Sequence, residues 1–381
     1  MKVTIVETKQ QQKRFLQFRK GLYKNGGKYV DNNYFMLTEI FAGKLHFVQN
    51  MEIVPVYIEA GSLDTEMDHD QQLKNDVQVE SGNIVCEGVI AYAKEIPEYV
   101  QLCFFEALSG QQEAVNLLVE QAIEYGRKKQ CRKLVIGLFG HVNYGLGFLD
   151  SHYEEVNSFS SLGNPEYYNQ YFRTMHCSEI KLNSYITHSL HDQMKRYHAI
   201  IDKMNRNYEF RSFDRKQFAK DSKIYTDLNN ACFMEHRYYY HRDYIDDAEM
   251  LKELFLFMKE DSIIYAFREG QPVGFIMWYP DYNELAKPGE SFGTKHYFKN
   301  LFRNKKIRTA KVMEYGVLPE YRGSGLPIAL INKVYEILEN YGCERVETSW
   351  ILDENVDSNS FCKEICDEGY KDYVVYEKDI L

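Results

Sequence analysis

The chain has no CxxC pair. Its eight cysteines, at 86, 103, 131, 177, 232, 343, 362 and 366, follow no disulfide or zinc-site spacing. They read as reduced, buried thiols, and no metal is expected. No apolar stretch approaches the roughly 18 residues of a membrane span, and the opening MKVTIVETKQQQKRF lacks the apolar core of a signal peptide. A cytoplasmic protein without a membrane partner is the expectation. No long Lys/Arg cluster flanked by aromatics stands out, and a formal net charge of -10 repels phosphate backbones, so nucleic acid is not expected as a partner. Nor does a Pro/Ser/Gly-rich linker divide the chain.

What is present is the composition of a folded protein, with 44% hydrophobic and 27% charged residues. A chain of 381 residues exceeds one ordinary core, which predicts two domains. The polar, helical stretch from His188 to Asn207 is the best boundary, because strand-like runs resume at Tyr208 to Phe213. The expected domains are therefore 1–200 and 201–381. Tyrosine is abundant, at 31 residues; Tyr238, Tyr239, Tyr240 and Tyr244 either line a groove or pack with their hydroxyls at a rim.

The second half has the clearest order. Ile263 to Tyr279 holds two apolar runs split by Glu269-Gly270-Gln271-Pro272, the composition of a hairpin turn. Ala310 to Leu318 reads as a buried strand, and Ile328, Ile331, Val334, Tyr335, Leu338 and Tyr341 recur at helical spacing up to the breaker Gly342. Arg345 to Leu352 reads as a strand, Ser358 to Cys366 as a helix and Tyr370 to Glu377 as a last strand. The order β, β, β, α, β, α, β predicts a mixed α/β sheet flanked by helices. The first half repeats part of it, as strand Val100 to Ala107, helix Glu113 to Lys129 and strand Cys131 to Gly137, which suggests duplication.

Chemistry concentrates after the strand Met313 to Leu318, where Pro319-Glu320-Tyr321-Arg322-Gly323-Ser324-Gly325-Leu326 leads at once into the long helix. Two glycines admit a ligand close to the backbone, and a helix starting there aims free N–H groups and its positive dipole end at an anion. Arg322 adds a forked cation suited to phosphate oxygens. At this point the sequence resembles the GNAT N-acetyltransferases, whose signature is a strand ending V-x-P-x-Y-R-G-x-G before a helix; Val317, Pro319, Tyr321, Arg322, Gly323 and Gly325 match it. The chain departs from the pattern at Glu320, where Gln or Arg is usual, and at Pro327, which the first helical turn tolerates.

The resemblance implies an acyl-CoA N-acyltransferase fold and acetyl-CoA as acyl donor. It assigns the pyrophosphate to the amides from Arg322 through Gly323, Ser324 and Gly325 to Leu326, and the pantetheine arm to the strand edge at Val317 and Leu318. Ser349 to Asn355, Gly369-Tyr370 and Val375 to Lys378 resemble the closing region of a bacterial two-domain subgroup with tandem GNAT-like units, and Asn355 joins the cofactor contacts on that likeness. The same subgroup suggests that 1–200, with Phe15 to Tyr23 and Asn164 to Tyr168, is a degenerate GNAT-like unit. Its corresponding loop, Leu108 to Glu113, has one glycine and no Arg, so one CoA site per chain is expected.

Acetyl transfer needs a polarised carbonyl, a neutral amine and a proton for the departing thiolate. A backbone N–H near Val317 serves the first need. Glu314, beside Met313 and Val317, is the candidate base, its alternative being a carboxylate satisfied by a neighbouring Lys or Tyr. Many GNAT proteins supply a tyrosine acid seven residues after an Asn; counting back from Gly369 puts Ile365 at that place and Ser358 at the Asn, which leaves Tyr373 or Tyr376 as substitutes. His236 and His241, like His188 and His191, lack metal-ligand geometry. The expected function is acetyl transfer to a small-molecule amine or amino-acid-like acceptor; a homodimer is compatible with it. The competing readings are a catalytically silent CoA-binding protein and a Fem-type transferase using aminoacyl-tRNA, the latter opposed by the intact loop and the acidic charge.

Overall fold

A computed structural model describes residues 1–26, 28–61, 82–188, 194–303 and 307–380, and His191 lies outside them. The chain forms two compact units. Unit 1 comprises Met1–Leu182, Ala286–Gly293 and Asp372–Leu381; unit 2 comprises Asn183–Leu285 and Thr294–Lys371.

Unit 1 runs β1 (Lys2–Ile5), α1 (Lys9–Gly26), α2 (Tyr34–Phe41), β2 (Met51–Glu59), β3 (Ile84–Ala93), β4 (Tyr99–Ala107), α3 (Gln112–Lys128), β5 (Lys133–Ile136), β6 (Phe148–Leu149), α4 (Glu166–Thr174) and the start of β7 (Ser178–Thr187), and it takes in most of β14 (Glu368–Asp379). Its sheet has the order β1-β2-β3-β4-β5-β14, parallel only between β4 and β5. Helix α3 buries Ala114, Val115, Leu118, Val119 and Ala122, a stripe at helical spacing that seats it on the sheet. Residues 286–293 dock on this unit too: Asp31 N–H donates to Glu290, Phe292 N–H donates to Asp31, and Phe292 packs on Phe159.

Unit 2 runs through the end of β7, then α5 (His198–Asn207), β8 (Glu209–Ser212), α6 (Phe218–Phe233), α7 (Tyr244–Leu254), β9 (Ile263–Arg268), β10 (Gln271–Pro280), α8 (Thr294–Arg303), β11 (Thr309–Val317), α9 (Leu326–Tyr341), β12 (Arg345–Thr348), β13 (Ile351–Leu352) and α10 (Val356–Ile365). Its sheet order is β8-β9-β10-β11-β12-β7, with only the β11–β12 pair parallel. Helix α9 buries Leu326, Ala329, Leu330, Val334 and Leu338 against Trp278, Ile276 and Val312. Truncating Leu330 in such a core costs about 2–5 kcal/mol. Gly342, at φ 73°, ends the helix in the left-handed conformation expected of it.

Three sequence expectations need amending. The expected cut near residue 200 falls inside α5; the boundary lies between Leu182 and Asn183, and two later segments return to unit 1. The polar look of 198–207 is the solvent face of α5, whose Ile201 and Met204 enter the unit 2 core. The strand Arg345 to Leu352 is broken into β12 and β13. All eight cysteines are free, but Cys177, Cys232, Cys343 and Cys366 are only half-buried.

The two units share a backbone plan where their parallel strands part. In unit 1 the parallel pairing of β4 with β5 ends at Leu102 and Ile136, Gly137 N–H donates to Leu102, and Leu108 N–H donates to Val85 at 2.9 Å. In unit 2 the pairing of β11 with β12 ends at Val312 and Thr348, Ser349 N–H donates to Val312, and Leu318 N–H donates to Val273 at 3.0 Å. Leu102 and Leu108 thus correspond to Val312 and Leu318 with one offset, as expected of a duplication.

Candidate active site

The site begins as a defect in the sheet. Between Met277 and Trp278 the pairing of β10 with β11 slips, leaving Met313 as an extra residue. Such a bulge switches which backbone groups face which neighbour. Beyond it, Leu318 N–H points at β10, so alternation turns the N–H and C=O of Val317 the other way, toward the side where β12 has parted from β11. A strand edge there can pair with an extended ligand.

Glu314 follows the bulge. Its half-buried carboxylate accepts a hydrogen bond from the hydroxyl of Tyr225, which is fully buried on α6 against Phe275. Loss of water around the carboxyl pushes its pKa up to about 8. The group is therefore part ionised at neutral pH and basic enough to take a proton from an ammonium.

The loop after β11 leads into α9. Pro319 to Tyr321 make one 3-10 turn, Gly323 has φ 70° and Gly325 has φ 91° at the N-cap of α9. A Cβ on Gly323 would meet open space, whereas one on Gly325 would lie 2.5 Å from Ile200 of α5. Ser324 donates to the Tyr321 carbonyl at 2.6 Å and accepts from Leu326 N–H at 3.3 Å, which holds the loop in shape. The N–H groups of Gly323 and Gly325 have no partner among the described residues. Two unpaired amides at a helix N-terminus over open space fit the pyrophosphate of a CoA thioester. Exposed Arg322 is tethered beside them by donating to the Cys232 carbonyl at 3.2 Å.

Asn355 caps α10, its side-chain oxygen accepting from Ser358 N–H at 3.1 Å. The asparagine built into the fold is Asn359, which the sequence reading passed over. It is buried, its amide donates to the Leu352 and Asn355 carbonyls, and its oxygen accepts from Tyr185. Counting seven residues from Asn359, instead of back from Gly369, reaches Cys366, whose thiol is held protonated by its hydrogen bond with Cys362 and by burial. Ile365 is buried in the core. Tyr373 and Tyr376, the substitutes considered for the acid, belong to unit 1, where Tyr376 packs on Phe148 and Phe172. His236 bonds the Arg237 carbonyl and His241 bonds Asn230.

Unit 1 closes the same location with its own side chains. Ala107, the counterpart of Val317, donates its N–H to the Tyr168 hydroxyl at 3.1 Å and accepts from the Tyr167 hydroxyl at 3.0 Å. Tyr171 accepts from Gln111 N–H at the start of α3 and donates to the Leu108 carbonyl. Phe104 stands where unit 2 has Glu314.

Residues 223–367 match the profile of the acetyltransferase (GNAT) family. Protein YghO of Escherichia coli strain K12 is 28% identical over 188 residues, which make up 48% of this chain and 48% of that protein, so the chain spans about half the length of this curated relative. Among solved structures, a tandem GNAT protein from the clavulanic acid biosynthesis pathway aligns over 100% of this chain and 98% of its own, with a TM-score of 0.56 at 11% identity. A glucosamine N-acetyltransferase region of a fungal multi-domain GH3 β-N-acetylglucosaminidase aligns over 99% of this chain and 38% of its own, with a TM-score of 0.54 at 12% identity. At these identities the likeness is one of fold.

Proposed function

Because residues 223–367 form a domain of the GNAT acetyltransferase family, we propose that the chain is an acetyl-CoA-dependent N-acetyltransferase acting by direct transfer on a small amine or amino-acid-like acceptor. The unpaired amides of Gly323 and Gly325 at the start of α9 carry this reading. They and Arg322 hold the pyrophosphate, while Ser324 and Leu326 keep the loop in register. The strand edge at Val317 and Leu318 orients the pantetheine arm, and the Val317 N–H polarises the acetyl carbonyl. Acetyl-CoA, when bound, supplies the activated acyl group. Glu314 takes the proton from the acceptor ammonium, and its raised pKa suits it to that task near neutral pH. We assign Asn355 to capping α10 instead of to the cofactor.

The test is thiol release from acetyl-CoA with a panel of primary amines and amino acids. Acceptor-dependent release supports the proposal. A folded protein that binds no acetyl-CoA sinks it, and one that binds without turnover on any acceptor is a silent CoA-binding protein.

A further inference from the structure

Helix α8 is built inside out. Its buried side is polar or aromatic: His296 and Asn300 face inward, Asn300 donates to the Phe257 carbonyl at 3.3 Å, Lys299 donates to the Leu285 carbonyl at 3.0 Å, and Tyr297 meets Phe257 edge-on. Its outward side is apolar, with Phe298 60%, Leu301 55% and Phe302 84% exposed. These positions lie three and four residues apart and share one face. No other described helix exposes three large apolar side chains in this way. The sequence of this stretch is equally one-sided in charge. From Thr294 to Lys306 the sequence carries Lys295, Lys299, Arg303, Lys305 and Lys306 and no acidic residue, in a chain of net charge -10.

We propose that this face of α8 docks on an anionic phospholipid surface, with Phe298, Leu301 and Phe302 entering the headgroup boundary and exposed Lys295, one turn before Phe298, lying among the phosphates. A short helix with a few large apolar side chains flanked by lysine matches the pattern of interfacial helices, which sink about 5–10 Å into the headgroup region. A second protein chain fits less well. Stable protein interfaces bury about 800 Å² per partner and deplete lysine from their core, and three side chains on one short helix fall short of that area. A nucleic acid would leave the apolar face in water. The proposal replaces the expectation of no membrane partner, and the sequence reading that found no basic cluster among aromatics overlooked Tyr297, Phe298 and Phe302.

The experiment uses the full chain in flotation with vesicles of phosphatidylcholine alone or mixed with phosphatidylglycerol. Wild type floats only with the mixed vesicles, and less so as salt rises. The F298S/F302S variant changes two exposed side chains, keeps its acetyl-CoA affinity and melting temperature, and loses vesicle binding by about tenfold or more. In F302W, mixed vesicles shift the indole emission to shorter wavelength. Failure to float with mixed vesicles, or equal flotation of F298S/F302S, overturns the proposal. So does a dimer that the double variant abolishes, which gives the face to a second copy, or binding to an oligonucleotide in place of vesicles.

Discussion

At the end of β4 the outward N–H and C=O of Ala107 are taken by Tyr168 and Tyr167, and the amide of Gln111, which caps α3, is taken by Tyr171. At the end of β11 the matching edge at Val317 faces a parted strand, and the loop before α9 leaves two amides with no partner among the described residues. The backbone plan is common to both; what differs is who satisfies it. A buried polar group left unpaired costs about 1–3 kcal/mol, so a duplicated site that no longer serves a ligand is stabilised by filling it with side chains. The helix α4, Glu166–Thr174, supplies that filling through three tyrosine hydroxyls. The open counterpart leaves exposed Gly323 and half-buried Gly325 to solvent instead.

Five variants would break or sharpen this contrast. The largest effect is expected from G323E/G325E, which puts carboxylates into the open cradle. Acetyl-CoA affinity measured by calorimetry should fall by about 100-fold or more, equivalent to about 2.7 kcal/mol. Gly110→Asn at the corresponding turn of unit 1, where φ is 73°, should leave it unchanged.

Next in size is Glu314→Gln, the position where unit 1 has Phe104. Its kcat should fall by about 10²- to 10⁴-fold with acetyl-CoA binding intact. Wild-type kcat/KM should rise with pH through a limb near 8, as the carboxyl loses its proton, and the variant should lack that limb. Stability changes in the opposite sense. A carboxyl whose pKa is higher folded than unfolded contributes fully below its unfolded value of about 4.3, and this contribution is lost as the pH rises through about 8. E314Q should therefore gain melting temperature relative to wild type at pH above 8 and not at acidic pH.

Tyr168→Phe removes the partner of Ala107 N–H and of the Glu106 carboxyl, which Tyr168 bonds at 2.7 Å. Urea denaturation should register a loss of about 1–3 kcal/mol, while kcat and acetyl-CoA affinity stay as they were. A change in catalysis instead would mean that the closed site still takes part.

The smallest effect belongs to Tyr225→Phe. Donation from this hydroxyl favours the charged carboxylate of Glu314, so without it the pH limb should move upward while maximal kcat at high pH is kept. A fall in kcat at every pH would mean that Tyr225 does more than bias this proton.

Much of unit 2 was legible because its signals are local. The turn at Glu269 to Pro272, the breaker Gly342 and the RGxG loop each act through a few neighbouring residues, and β9, β10, β11 and α9 lie where those residues place them. For Glu314 the sequence left two readings open, a raised pKa from apolar neighbours and a carboxylate satisfied by a Lys or Tyr; which tyrosine it meets was hidden, because Tyr225 arrives from a helix some ninety residues earlier. Three misreadings share one cause. The cut near 200, the place of Tyr373 and Tyr376, and the break at Ser349-Trp350 all depend on which strand lies beside which, and side-chain alternation along one strand is silent about its neighbour. The filling of unit 1 by α4 was hidden for the same reason, although the cluster Tyr167, Tyr168 and Tyr171 was plain in the sequence.

The last strand has a consequence for synthesis. Its residues Tyr376 to Asp379 pair with β5, and so complete a sheet whose strands β1 to β5 are made long before it. While the ribosome is still building the second half, β5 waits with one edge bare. A transcript cut short anywhere in that half yields an N-terminal piece that exposes a sheet edge, a substrate for proteases and chaperones. Two halves severed at residue 200 should regain structure only when expressed together.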